Sequence, residues 1–323
     1  MWKKIISGMV LGTCLMALVA GCGTSDQTSA DKVLRVAIQP SATWAPLWYM
    51  KDKGSLEKAL ESKGIKVQWT EFDAGPSLNE SFAAGQQDIG IGGDVPTITP
   101  LAAGQKNKII AQGGKGDKIQ AIIVGNDSGI TDPKQLKSKK IGITVGSSAH
   151  HMLYSILEKN GMSLNDVQIV NLTAGDAETA LLQKQVDAVA FWEPNVTFLL
   201  DKKAGKFLVD QTGCPNGGGP IFVTEKYVTD NQEVVKIFLQ EYAKAAKYIK
   251  THQEEVAPGL AAHYHCTPEQ MVKILDEYEY PVKITEEDIA GLEATAQFMK
   301  TIGIIKKDIN IKDYIDSSIA NSL

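Results

Sequence analysis

VQWTEFDAGPSLNESFAAGQQDIGIGGDVP, residues 67–96, and VQIVNLTAGDAETALLQKQVDAVAFWEP, residues 167–194, follow one plan twice, about a hundred residues apart. Each opens on alternating apolar residues, as a strand does, and turns at Ala-Gly (Ala74-Gly75, Ala174-Gly175). Each then runs through a helical pattern to an aspartate, Asp88 or Asp187, and a short apolar strand. An acidic residue shortly before a proline closes each copy, Asp94 ahead of Pro96 and Glu193 ahead of Pro194. A further strand precedes both copies, in LRVAIQPSATWAPLWYM (34–50) and KIGITVGSSAHHMLYSIL (140–157). The chain therefore contains two βαβαβ units. Such units predict an α/β fold of two lobes, each a mostly parallel sheet flanked by helices.

In sheets of this kind ligands bind beyond the carboxyl ends of the strands, and two units facing each other place those ends along one cleft. The first unit brings residues 39–44, 73–77 and 92–96 to the mouth; the second brings 146–151, 174–178 and 192–195. After Tyr227 the pattern turns helical, with Thr267-Pro268-Glu269-Gln270 and Thr285-Glu286-Glu287-Asp288 as helix starts. These helices need a sheet to cover. The natural division is a discontinuous first lobe, 33–121 plus 224–323, and a second lobe, 122–223, joined by two crossings that suit a hinge.

Lys3 and Lys4 precede an apolar run from Ile5 to Ala20, shaped like an export signal and short for a membrane span. Leu18-Val19-Ala20-Gly21-Cys22 resembles a bacterial lipobox. That resemblance implies a signal over 1–21, acylation of Cys22, a flexible polar tether over 22–32, and a protein held on the outer face of the cell membrane. Loss of Lys3 and Lys4 takes the formal charge from −5 to −7, which argues against a nucleic-acid partner. At 43% hydrophobic residues the chain can bury a large core. Cys214 and Cys266 remain outside the signal, and either a bridge between them or two separate thiols fits an exported chain.

The corner after the strand at 140–145 holds Ser147, Ser148 and His150, and two chemistries compete for it. A secreted hydrolase would use a serine hydroxyl with the histidine as base, but the segment lacks the G-x-S-x-G elbow and no third group can be named. A binding site would use the same corner as a helix N-terminus, whose open N–H groups and hydroxyls receive an anion without transforming it. Arginine occurs once, at Arg35 inside the first strand, so no guanidinium clamp serves the mouths. An anion would rely on N–H dipoles, hydroxyls and His150. Trp44 and Trp192 stand at predicted corners and suit packing against a ligand. Acids also gather there: Asp73, Asp94, Asp176, Glu178 and Glu193. Helix capping accounts for Asp94 and Asp176, whereas Glu193 beside Trp192 suits an ammonium or guanidinium group. His263 to Cys266 matches no usual metal spacing, and GGKGDK (113–118) is not a phosphate loop. Neither a metal nor a cofactor is expected.

The segments EFDAGPSLNESFAAGQQDIGIGGDVP, GSSAHHML and AGDAETALLQKQVDAVAFWEP, with the helical tail, resemble those of solute-binding lipoproteins of bacterial ABC importers. The resemblance is to the nitrate/sulfonate/taurine class, nearest to the aliphatic-sulfonate binders, and it spans about residues 34–320. It implies a periplasmic-binding-protein fold, type II-like, that closes over a small solute and docks on a permease driven by an ATPase. Carried onto this chain, the ligand-facing positions are Gly93, Asp94, Ser147, Ser148, His150, Trp192 and Glu193, beside Trp44 and Asp176 from the corner reading. Sulfonate binders often carry Trp-Asp-Pro where this chain has Trp192-Glu193-Pro194. The longer acid leaves open a sulfonate or a zwitterion such as taurine, a nitrogenous cation, and nitrate.

Overall fold

The structure, a computed structural model, describes residues 32–73 and 75–323. The expected signal over 1–21, the acylation site Cys22, all but the last residue of the tether, and Ala74 lie outside the described residues.

The first unit runs β1 (Lys32–Ile38), α1 (Ala45–Lys53), α2 (Ser55–Glu61), β2 (Ile65–Glu71), α3 (Gly75–Ala83), β3 (Ile89–Ile91), α4 (Asp94–Ala102) and β4 (Asn107–Gln112). The chain then crosses to β5 (Gln120–Gly125), β6 (Lys140–Ile143), α5 (Ser148–Lys159), β7 (Gln168–Asn171), α6 (Ala177–Leu182), β8 (Ala188–Trp192), α7 (Asn195–Asp201) and β9 (Gly205–Asp210). It returns through β10 (Pro220–Thr224) to α8 (Glu225–Asp230), α9 (Gln232–Thr251), α10 (Gln253–Tyr264), α11 (Pro268–Asp276), α12 (Glu286–Thr301) and α13 (Ser318–Asn321).

Two five-stranded sheets result, ordered β2-β1-β3-β10-β4 and β7-β6-β8-β5-β9. The orders match position for position: four strands run one way, and the fourth place holds an antiparallel strand supplied by the chain just after it has crossed. The duplication extends to single hydrogen bonds. Asp88 accepts from the Arg35 N–H at 2.9 Å, and Asp187 accepts from the Lys140 N–H at 2.8 Å. Thr224 N–H donates to Asp88 O and Gly125 N–H to Asp187 O, each at 2.9 Å. The shared aspartates thus tie the backbone of the first strand of each unit to the last residue of its antiparallel strand. Asp88 also takes the Arg35 side chain, with Nε at 2.9 Å.

The expected boundaries at 121/122 and 223/224 fall in the wrong places. The first cuts β5, and the second puts most of β10 with the second sheet, although it pairs with β3 and β4 of the first. The crossings lie at 113–119 and 211–219. They are bound to each other, Gly113 N–H to Gly219 O at 2.9 Å and Gly219 N–H to Gly114 O at 2.8 Å. The close pairing requires glycine: a Cβ on Gly113 would stand 2.5 Å from the carbonyl oxygen of Gly219. GGKG (113–116), part of the run that is not a phosphate loop, and NGGG (216–219) therefore lie in the two halves of the connection.

The tail helices cover the first sheet. Phe238, Leu239 and Tyr242 of α9 and Leu260 of α10 share one core with Val36, Ile38 and Leu47, while Leu292 and Phe298 of α12 pack with Val95 and Ile98 of α4 on the other face. Among the described residues no helix is long and apolar enough to cross a membrane. Cys214 packs at the second sheet's core and Cys266 at the first's, and both thiols are free, so the possible bridge does not form.

Candidate functional site

Where the carboxyl ends of the two sheets face each other, the chain surrounds a cavity of about 140 Å³, partly open to solvent. The first unit lines it with Gln39, Pro40, Ser41, Thr43 and Trp44, then Asp73, Gly75 and Pro76, then Gly93 and Pro96. The second lines it with the continuous run Thr144 to Ser148 and with Trp192. The crossings add Ile119, Gln120, Asn216 and Gly218, and the tail adds Tyr278. Asp73, at the exposed rim, is the sole Asp, Glu, Lys, Arg or His among these residues.

The corner at 144–148 is built by the backbone. Thr144 Oγ1 donates to Leu172 O at 2.9 Å and Val145 N–H to Asn171 Oδ1 at 3.0 Å, pinning the end of β6 to the end of β7. Gly146 then turns at φ +80°, which a side chain would resist. Ser147 caps α5, its Oγ accepting from His150 N–H at 3.4 Å. At this end of α5 the first N–H groups have no intrahelical acceptor, and the helix dipole makes the corner positive. It can hold an anionic oxygen with neutral groups alone.

His150 does not serve that corner as a cation. Its Nδ1 accepts from Gly146 N–H at 3.3 Å and its ring meets Phe298 edge-on. Burial, reinforced by His151, lowers its pKa to about 4, so it stays neutral and behind the cavity wall. Asp94 is also set back, 2% exposed. Its carboxylate accepts from the N–H of Val95 at 2.8 Å, the hydroxyl of Ser148, and the hydroxyl of Thr295 at 2.7 Å, and it stands 3.1 Å from His151 Nδ1. Burial pushes this carboxyl upward, but the bond and charge of His151 and the two hydroxyls outweigh burial and hold it below the usual range. Asp94 joins α4 and α12 of the first lobe to α5 of the second. Because the Ser148 hydroxyl donates to Asp94, it offers a ligand only an acceptor, and its backbone N–H is the donor that remains.

Of the other expected residues, Trp44, Gly93, Ser147, Ser148 and Trp192 line the cavity. Trp44 is fixed by its Nε1, which donates to Ile91 O at 2.7 Å. Asp176 is absent from the lining; it is exposed and accepts from Thr173 Oγ1 of its own turn at 2.6 Å. Glu178 pairs with Lys202 at 2.6 Å on the surface. Glu193 follows Trp192 on the chain and faces away from the cavity: it is 2% exposed and accepts from Thr197 N–H at 3.1 Å.

Burial, with Glu277 adding to it, raises the Glu193 carboxyl from 4.5 to about 7 against the opposing bond from Thr197. Between those values the folded chain keeps a proton that the unfolded chain releases, so stability declines as pH rises through that window. Glu193→Gln, which imitates the protonated form, is expected to be more stable than the parent at pH 8 by up to about 3 kcal/mol and equal to it near pH 4. Urea unfolding at both pH values measures this; a less stable variant at pH 8 would refute it.

Sequence reasoning missed Thr144, Val145, the crossing residues and Tyr278. The crossings were legible as glycine clusters but not as a wall. Tyr278 carries no signal, since its position depends on how the tail returns to the first lobe.

The pattern of the family described as NMT1/THI5 like matches residues 45–256. A protein of Bacillus subtilis (strain 168), provisionally named aliphatic sulfonates-binding protein, is 34% identical over 96% of this chain and 95% of its own. Among solved structures, the alkanesulfonate-binding protein SsuA from Xanthomonas axonopodis pv. citri bound to MOPS superposes with a TM-score of 0.79 at 25% identity, covering 88% of this chain and 98% of its own. The periplasmic aliphatic sulphonate binding protein SsuA from Escherichia coli superposes with a TM-score of 0.81 at 26% identity, covering 90% and 99%.

Proposed function

The chain belongs to the NMT1/THI5-like family, and on that premise we propose that it is the extracytoplasmic solute-binding component of an ABC importer, capturing a small organic sulfonate. One observation carries the ligand class: the cavity joins a positive helix corner, made of N–H groups and the Ser147 hydroxyl, to walls of Trp44, Trp192, Ile119, Val145 and Tyr278. A sulfonate is a singly charged head with three acceptor oxygens on an apolar tail, which suits such a site. Residues from both lobes line the cavity, so a bound solute favours the arrangement in which both sets of contacts exist, and that arrangement is the one handed to the permease. A lipid on Cys22 would hold the protein at the membrane's outer face, consistent with the lipobox-like run Leu18 to Cys22.

The setting of Glu193 shifts the balance among ligands. An ammonium or guanidinium group in the cavity would find only the rim acid Asp73, and burying a cation without a close partner is costly. Catalysis also lacks its relay. Asp94 stands between Ser148 and His151, whereas a serine nucleophile needs the imidazole next to its hydroxyl.

Calorimetric titration with propane-1-sulfonate, taurine, nitrate and guanidinium tests the reading. Propane-1-sulfonate is expected to bind, taurine about tenfold more weakly because its ammonium group loses solvent without a partner, and guanidinium not at all. Binding of guanidinium with no response to either sulfonate would overturn it.

A further inference from the structure

Gln120 is the first residue of β5 and stands opposite Trp192 in the ladder. It lines the cavity, is only 6% exposed, and its Oε1 is buried with no hydrogen-bond partner. Its neighbours there, Ile119, Trp192 and Tyr278, are largely apolar. A half-turn of the amide exchanges oxygen for nitrogen but leaves one of them orphaned. Buried amides without partners are rare and destabilising, so a side chain left in that condition at a cavity wall calls for a partner that arrives from outside.

The sheet order places this amide. β6, which leads to the anion corner, is separated from β5 by β8 alone, so the tip of β6 and Gln120 lie two strand spacings apart, about 10 Å. Because β5 runs antiparallel to β8, Gln120 is at the same end of the sheet as the corner. A sulfonate head at the corner would thus direct its tail past Trp192 toward Gln120.

Resting on the sulfonate reading above, we propose that Gln120 is the specificity-determining residue for the tail: it hydrogen-bonds a neutral polar group, a hydroxyl, carried a short way from the sulfonate. The solutes favoured would be hydroxyalkanesulfonates over plain alkanesulfonates. A hydroxyl both donates and accepts, so it satisfies the amide in either orientation, and it introduces no charge into a site with no counter-charge at that wall.

The matched pair 2-hydroxyethanesulfonate and propane-1-sulfonate differs by a hydroxyl in place of a methyl group. Calorimetry on the parent protein is expected to find the hydroxylated member about tenfold tighter. In Gln120→Leu the difference should fall to within about twofold, with propane-1-sulfonate bound at least as well as by the parent. Gln120→Met serves the same end should the leucine variant fold poorly, and a thermal midpoint no lower than the parent's certifies either. Equal affinities for the pair in the parent, or an undiminished preference in the variant, would overturn the role of Gln120 while leaving sulfonate capture standing. Failure of the parent to bind either sulfonate would instead remove the reading on which it rests.

Discussion

Replacing Asp94 by alanine is expected to cost the folded chain about 3–5 kcal/mol, the range for removing one partner of a buried ionic network. The carboxylate is 2% exposed and serves donors from four places: Val95, Ser148, Thr295 and His151. Its loss leaves the buried His151 ring nitrogen without that carboxylate, with a desolvation penalty, and removes one acceptor each from the Ser148 and Thr295 hydroxyls, the latter keeping Gly291 O at 2.9 Å. Urea unfolding at pH 7, with the slope checked for constancy, measures the effect; a loss under about 1 kcal/mol would refute it. The effect also has a pH signature. Because the native state holds this carboxyl below its usual range, its stabilisation is present above the unfolded value of 3.8 and fades as pH falls through the lower native one. The gap between parent and variant should therefore narrow in acid.

The second large effect concerns Gly93, where the lobes touch. A Cβ there would stand 2.5 Å from Ser148 Oγ, a hydroxyl already engaged with Asp94. Gly93→Ala must rotate that hydroxyl out of its bond or push α5 away from α4, and either displaces the corner that holds the anion. A displacement of about 1 Å in such a site can weaken function about a hundredfold, and sulfonate affinity in Gly93→Ala is expected to fall by ten- to a hundredfold. Ser148→Ala removes the obstructing atom and leaves a Cβ 3.7 Å from the new methyl group, an ordinary contact. The double variant should then regain most of the affinity, and a double-mutant cycle by calorimetry reads the coupling. Additive losses would show that the clash is not what matters.

The repeat was the most legible feature of the sequence, because strand and helix periods alternate in the same order twice. The direction of β5 and β10 was not legible. A short apolar run such as Ile122 to Val124 reads alike whichever way it runs, and only the crossing sets its sense. At the corners, small residues marked the turn at Gly146 correctly, and Ser147 caps α5 as its type suggests. The misplaced acids have different physical causes. Glu193 is the first residue past β8, and its carboxylate turns to the N–H of Thr197 in α7 and not to the cavity, a turn that the sequence pattern does not reveal. Asp176 bonds to Thr173 of its own exposed turn, and the residue type alone does not distinguish that role from facing a ligand. Asp94 and His150 lie one layer behind the wall, a depth that residue type and position on a helix start do not encode.

The paired crossings bear on how such a molecule could signal. A single ribbon between two bodies would let one swivel about the ribbon's own axis as well as bend. Here two ribbons are bonded at Gly113, Gly114 and Gly219, and the first is braced again where Gln112 N–H meets Val282 O and Lys115 N–H meets Glu279 O. Torsion of one against the other would break those bonds, whereas flexing both together preserves them. That would reduce the soft motion to a single angle, and in the proposed import role a permease that gauges that angle would read vacancy or occupancy without having to sense the solute itself.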